Sequence, residues 1–191
     1  LEDWQKNDII RPLFGWKDAD GLRRYRTCYV EIPRKNGKSN LSAAIALYML
    51  FADGEPGAEI ISAAGDRGQA SIVFDIARDM IANNRHLTQR SHVLKRVIHY
   101  KTSWYKSISA EAYTKHGLNC HAVIFDELHT QPNRELWDVL TTSTGARRQP
   151  LTMALTTAGH DRASICYEVH EYAEKVRDGI IDDPTFLPVL Y

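Results

Sequence analysis

Three short runs of residues combine types that could do chemistry together. The first is Arg34-Lys35-Asn36-Gly37-Lys38-Ser39, in which a Gly-Lys-Ser loop at a helix start can wrap phosphates with backbone N–H groups. There Gly37 would let the backbone approach the phosphates, Lys38 would place a point charge on their oxygens, and the Ser39 hydroxyl would hold Mg²⁺. The full phosphate-loop pattern puts a second glycine at position 32, where this chain has Ile32. A basic surface turn would give the same letters.

The second run, Val123-Ile124-Phe125-Asp126-Glu127, is an apolar strand ending in two carboxylates, where an open α/β sheet places its ligands. Asp126 is expected to bind Mg²⁺ through water, and Glu127 to orient and deprotonate an attacking water. Alone, the pair reads equally as a strand end followed by a charged turn. The third run, Thr156-Thr157-Ala158-Gly159, closes another strand; its hydroxyls could sense a γ-phosphate and pass on its loss as a loop movement. The first two runs, in this order and each on its expected element, point to a phosphate-loop ATPase.

The elements that must carry these runs are legible as an alternation. Residues 27–32 read as a strand, Pro33 to Gly37 break it, and Leu41 to Phe51 form an apolar helix. Residues 58–63 read as the next strand, followed by a helix with Val73, Ile76, Ala77 and Met80 on one face. Residues 93–100 and 104–110 suggest a hairpin joined by Lys101-Thr102-Ser103, although the alternation is imperfect. Then come a buried strand over 121–125, a helix with Leu136, Val139 and Leu140 that Pro132 could start, and a strand over 151–156. A final helix carries Ile165, Val169, Tyr172 and Val176, with Asp161 as its cap. This βαβα order predicts an α/β fold, a mainly parallel sheet with helices on both faces.

Composition narrows the class further. The chain has 191 residues, 43% hydrophobic and 25% charged, which suits one folded domain with a sizeable core. Apolar stretches stay well short of the roughly 20 residues that cross a bilayer, so a soluble, cytosolic protein without membrane contact is expected. Cys28, Cys120 and Cys166 are odd in number and widely spaced, as reduced core residues are. Lys plus Arg and Asp plus Glu are 24 each, so any contact with nucleic acid must come from a local patch. The eight histidines show no metal-ligand spacing, and His129 reads as a polar neighbour of the site or a surface residue rather than a ligand. The chain starts at Leu1 and ends on an apolar, strand-like run, Phe186 to Tyr191, and reads as a domain excised from something longer.

With these residues in hand the chain resembles the ATPase domain of tailed-phage terminase large subunits, motors that pump double-stranded DNA into a procapsid. The resemblance runs through Leu1 to Gln5, Phe14-Gly15-Trp16, Arg34 to Ser39, Gly65 to Ala70, Gly117-Leu118-Asn119, Asp126-Glu127-Leu128-His129, Gly145 to Pro150 and Thr156 to Gly159. It implies a P-loop NTPase fold of the RecA-like, additional-strand catalytic-glutamate type, occupying residues 1–191 as a single ATPase domain with the family's nuclease domain absent. It implies ATP and Mg²⁺ as cofactors, with Lys35, Asn36, Gly37, Lys38 and Ser39 around the phosphates, Ser39 and Asp126 at the metal, and Thr156 and Thr157 in the coupling motif. Arg34 sits where many terminases keep a phosphate-loop arginine, and its planar fork suits charge on the γ-phosphate. Gln5 resembles the glutamine that reads adenine.

The implied partners are double-stranded DNA, the portal protein, the terminase small subunit and further large subunits in a ring, in the host cytoplasm. One departure concerns the arginine that acts on a neighbouring subunit in some terminases, because its neighbourhood here is Lys115-His116-Gly117; Arg147 and Arg148 are other positions, and the role stays open. Arg23-Arg24-Tyr25-Arg26 and the stretch with Arg85, Arg90, His92, Lys95 and Arg96 are candidate phosphate contacts, against the plainer alternative of solvated surface. A helicase-like nucleic-acid-dependent ATPase and a non-catalytic nucleotide-binding assembly module are the alternative functions; the former would carry a second RecA-like domain.

Overall fold

Residues 1–110, 117–159 and 161–191 are described by the computed structural model. The chain opens with a π-helical stretch, Gln5–Ile10, running directly into α1 (Arg11–Gly15). The repeating units follow: β1 (Thr27–Glu31), α2 (Lys38–Phe51), β2 (Glu59–Ala64), α3 (Arg67–Ala82) and the short α4 (Arg85–Thr88). After them come β3 (His92–Val93), β4 (Val97–Tyr100), β5 (Ser103–Ser109), β6 (Cys120–Asp126), α5 (Glu135–Thr142), β7 (Leu151–Thr156), α6 (Ile165–Arg177) and β8 (Phe186–Leu190).

One sheet collects these strands in the order β3-β4-β5-β2-β6-β7-β1-β8. It is mainly parallel; β4 is antiparallel to both of its neighbours. Strand periodicity divides the core in two. Cys28, Val30, Ile60, Ile124, Met153 and Leu155 face the layer of α1, α2 and α3, whereas Tyr29, Ile61, Val123, Phe125 and Ala154 face α5 and α6. α2 is buried on nearly all sides because α3 packs over it, which is why its sequence shows little amphipathic contrast. Parallel pairing brings Glu31 opposite Thr156 and Asp126 opposite Leu155, so the ends of β1, β6 and β7 share one edge.

Local details differ from the sequence expectation where short-range hydrogen bonds decide. The hairpin is real, but its first strand starts at Val97; Val93 pairs with Ile98 in β3, and Lys101 takes the left-handed turn with φ 51°. Pro132 lies ahead of α5, whose first residue, Glu135, donates its N–H to Asn133 Oδ1 at 2.9 Å. Ser164, not Asp161, caps α6 by accepting from Tyr167 N, while Asp161 Oδ1 takes the Ala163 N–H one step earlier. The terminal apolar run pairs with β1 as a sheet edge. Cys28, Cys120 and Cys166 are free and buried.

Candidate active site

The loop from Ile32 to Gly37 leaves β1 by a backbone bond, Ile32 N to Thr156 O at 3.1 Å, and curls through two left-handed residues, Lys35 (φ 67°) and Gly37 (φ 72°). Gly37 precedes α2, where φ above zero favours glycine, and a Cβ there would stand 3.5 Å from Gln5 Nε2. Asn36 holds the loop from inside, its Nδ2 donating to Pro33 O and Arg34 O at 3.1 and 3.4 Å. Lys38 is 5% exposed and folds back over the loop, with Nζ 3.5 and 3.3 Å from the carbonyls of Ile32 and Pro33 and 3.6 Å from Glu127 Oε1.

Ser39 meets the strand-end acid directly, Oγ donating to Asp126 Oδ2 at 3.0 Å. Ser42, one turn further along α2, reaches Asp126 Oδ1 at 3.4 Å. Sequence reasoning passed over Ser42, although its i, i+3 spacing from Ser39 was the available signal. Burial pushes the Asp126 carboxyl up to about 6; the Ser39 hydrogen bond opposes that rise, and the neighbouring Glu127 charge adds to it. A buried carboxylate flanked by two hydroxyls is a hard oxygen set that fits Mg²⁺, which needs only one or two protein ligands beside water and substrate oxygens. Among the described residues no group of three or more His, Cys, Asp or Glu comes together as a metal centre.

Glu127 sits just past β6 in the left-handed region, φ 53° and ψ 58°, a conformation costing a non-glycine residue about 1–2 kcal/mol. The turn after it repays that: Thr130 N and Oγ1 both donate to Glu127 O, at 2.9 and 2.8 Å. Two glycines make room for the turn. A Cβ on Gly65 would lie 2.4 Å from Thr130 O, and one on Gly159 would press His129 Cβ at 3.3 Å. His129 thereby joins the second and third runs, with Nδ1 at 3.0 Å from Thr156 Oγ1, 3.5 Å from Thr157 Oγ1 and 3.2 Å from Glu127 Oε2.

Lys38, Ser39, Asp126, Glu127, Thr156 and Thr157 are thus brought to one end of the sheet. Gln5 is buried beside the loop, accepting from Glu2 N at 3.1 Å and donating to Asn36 O at 3.4 Å. With Trp4, Lys35, Asn36, Asn40 and Met80 it lines a cavity of about 620 Å³. Arg34 is exposed on the other side of the loop, where a second cavity of about 710 Å³ runs past His129, Thr157 and Gly159. A basic glycine-containing loop thus faces an Asp-Glu strand end across the start of α2.

Residues 3–175 match the family described as the terminase large subunit, ATPase domain. The chain belongs to that family. It is 34% identical over 143 residues to the terminase large subunit of Enterobacteria phage HK97, a match covering 71% of this chain and 28% of that protein. The crystal structure of the HK97 large terminase superposes on all of the chain with a TM-score of 0.84 at 27% identity, covering 39% of that structure. The large terminase of a thermophilic bacteriophage in complex with ADP shares the fold, with a TM-score of 0.64 at 12% identity over 97% of this chain and 45% of its own. The chain therefore spans less than half the length of each of these relatives.

Within this terminase ATPase domain, several arginines take places the sequence did not indicate. Arg23 is not a surface phosphate contact: it is 2% exposed, paired with Asp53, 3.4 Å from Met49 Sδ and stacked over Phe14. Arg24 lies over Trp16 and Tyr25, and Arg26 is 3.9 Å from Asp18. Arg147 is engaged at the opposite end of the sheet with Glu55 and with the carbonyls of Asn119 and Gly57 at 2.8–3.1 Å. Arg148 is exposed, whereas Lys115 and His116 lie outside the described residues. Arg85, Arg90, His92, Lys95 and Arg96 are exposed along α4, β3 and the start of β4. Among the described residues no helix is long and apolar enough to cross a membrane.

Proposed function

We propose that this domain hydrolyses Mg²⁺-bound ATP to drive double-stranded DNA into a procapsid, working with further large subunits in a ring at the portal and with a terminase small subunit. Supporting this reading above all is the convergence of Lys38, Ser39, Asp126 and Glu127 from two separate elements at one sheet end. The adenine would lie in the cavity beside Gln5, and the phosphates would follow the Lys35–Ser39 backbone toward Lys38. Mg²⁺, held through Ser39 and Asp126, would supply positive charge to the phosphate oxygens.

Lys38 carries its charge on a buried stem and would exchange its long contacts with two carbonyls for phosphate oxygens. Glu127, held on a strained turn, would orient the attacking water and accept its proton. Arg34 would place its guanidinium against the γ-phosphate, and Thr156 with Thr157 would register the loss of that group. Residues 1–191 form the ATPase unit, and DNA cleavage belongs to a part of the protein beyond it.

The test is phosphate release from ATP across a range of protein concentrations, with and without Mg²⁺. Mg²⁺-dependent release is expected, with Glu127→Gln binding ATP but turning over at least about 100-fold more slowly and Lys38→Ala losing ATP affinity. Turnover of Glu127→Gln near that of the parent would remove Glu127 from its role, and unchanged affinity of Lys38→Ala would overturn the phosphate-loop assignment. Rising specific activity with concentration would show that a neighbouring subunit completes the site.

A further inference from the structure

Glu127 Oε2 is buried without a hydrogen-bond partner among the described residues, though a donor nitrogen lies beside it. That nitrogen is His129 Nδ1, 3.2 Å away but aligned on Thr156 Oγ1 at 3.0 Å instead. The hydroxyl hydrogen of Thr156 is engaged with Thr157 O at 2.9 Å, so Thr156 Oγ1 accepts from His129, whose Nδ1 carries a proton. The His129 backbone N–H points at the same oxygen from 3.3 Å. One donor thus stands between two acceptors, the hydroxyl of the strand-end threonine and the orphan oxygen of the strained glutamate.

The setting keeps this choice sharp. Gly159, two residues beyond Thr157, packs its bare Cα face against His129 Cβ, and Gly65 admits the carbonyl of Thr130, so the turn is clamped between two neighbouring loops. Both oxygens lie within reach of Nδ1, at 3.0 and 3.2 Å, and a shift of Thr156-Thr157 would withdraw the hydroxyl that now holds it. Leaving a buried carboxylate oxygen without a donor is unfavourable, which favours the exchange once the threonine gives way.

We propose that His129 is a positioning residue, passing its Nδ1–H between Thr156 and Glu127 so that the orientation of Glu127 depends on the Thr156-Thr157 loop. This rests on the reading of Glu127 as the group that activates water. His129 touches neither phosphate nor water in this scheme; it couples the sensor to the base.

The experiment measures kcat and KM for Mg²⁺-ATP in His129→Leu, His129→Asn and His129→Gln, with Glu127→Gln as the reference. An asparagine amide places its nitrogen near the position of Nδ1, and a glutamine amide places it one carbon further out. Expected are a fall in kcat of about tenfold or more for His129→Leu with KM within about threefold, near-parent kcat for His129→Asn, and no such rescue by His129→Gln. Parent-like kcat in His129→Leu would overturn the proposal, as would an asparagine variant no better than the glutamine one. Should the leucine variant fail to fold, the Asn against Gln comparison decides alone. If Glu127→Gln itself turns over normally, the reading of Glu127 fails, an outcome distinct from failure of the His129 link.

Discussion

The two ends of the sheet hold charges in opposite ways. At the carboxyl ends, Lys38 lies 3.6 Å from Glu127 and 3.3–3.5 Å from two carbonyls, and Glu127, 23% exposed, has an oxygen with no hydrogen bond among the described residues. At the amino ends, Arg147 makes bonds of 2.8–3.1 Å to Glu55, Asn119 and Gly57, and Asp53 sits between Arg23 and His121 with side chains 5% exposed or less. The lower cluster is not perfect, since Arg23 Nε and His121 Nδ1 find no partner among the described residues. Still, its arginines are paired at short range with carboxylates and carbonyls of the chain itself. Charges that close on each other hold the chain together, while charges held at long distance remain available to a ligand.

That contrast is broken or sharpened most directly by stability measurements. Arg23→Met leaves Asp53 buried without its main cation and should cost about 3–4 kcal/mol in chemical denaturation, whereas Lys38→Met should change stability by less than about 1 kcal/mol. Equal losses would erase the distinction between the two ends. Arg147→Ala, which strands the carbonyls of Pro56, Gly57 and Asn119 together with Glu55 at a partly wet edge, should cost about 2 kcal/mol and leave ATP affinity unchanged; a selective loss of turnover would instead give Arg147 a part in the site.

The smallest effect concerns pH. Burial opposes ionisation of Asp53, but the hydrogen bond from His121 and the charge of Arg23 together hold its carboxyl below the usual range. A depressed folded value adds stability that is fully present above the unfolded carboxylate value of about 3.9 and lost as pH falls through the folded one. Asp53→Asn should therefore be less stable than the parent near neutrality, with the gap narrowing below about pH 4. A gap that stays constant down to pH 3 would show that Asp53 acts by packing rather than by charge.

Much of the site was legible because it rests on local order. Strand, loop and helix around Gly37-Lys38-Ser39 follow from β-branched residues, a break and an apolar run, and a strand ending in Asp126-Glu127 announces itself by period and position. Ser42 was recoverable from helical spacing and was missed. The His129 link had no such signal, because its partners Thr156 and Thr157 are 27 and 28 residues away and meet it only when β6 and β7 pair. Nor could the arginines be sorted: Arg23 and Arg24 are neighbours in a basic run, yet one stacks under Phe14 against Asp53 and the other stays at the surface on Trp16.

By itself, then, the sequence determined the main strands and helices of the repeating units, though not the amino-terminal helices, α4 or β3, and it determined that the sheet is mainly parallel and which loop and strand end carry the phosphate and carboxylate chemistry. Those features depend on periods of two and 3.6 residues and on backbone breaks, all written within a dozen positions. Tertiary structure alone decided which charges are spent on the fold, why Gly65 and Gly159 must lack a side chain, and that His129 lies between Glu127 and the Thr156-Thr157 loop. These depend on segments far apart in the chain arriving at the same edge of the sheet, and the energy of a charge or hydrogen bond is set by what arrives beside it.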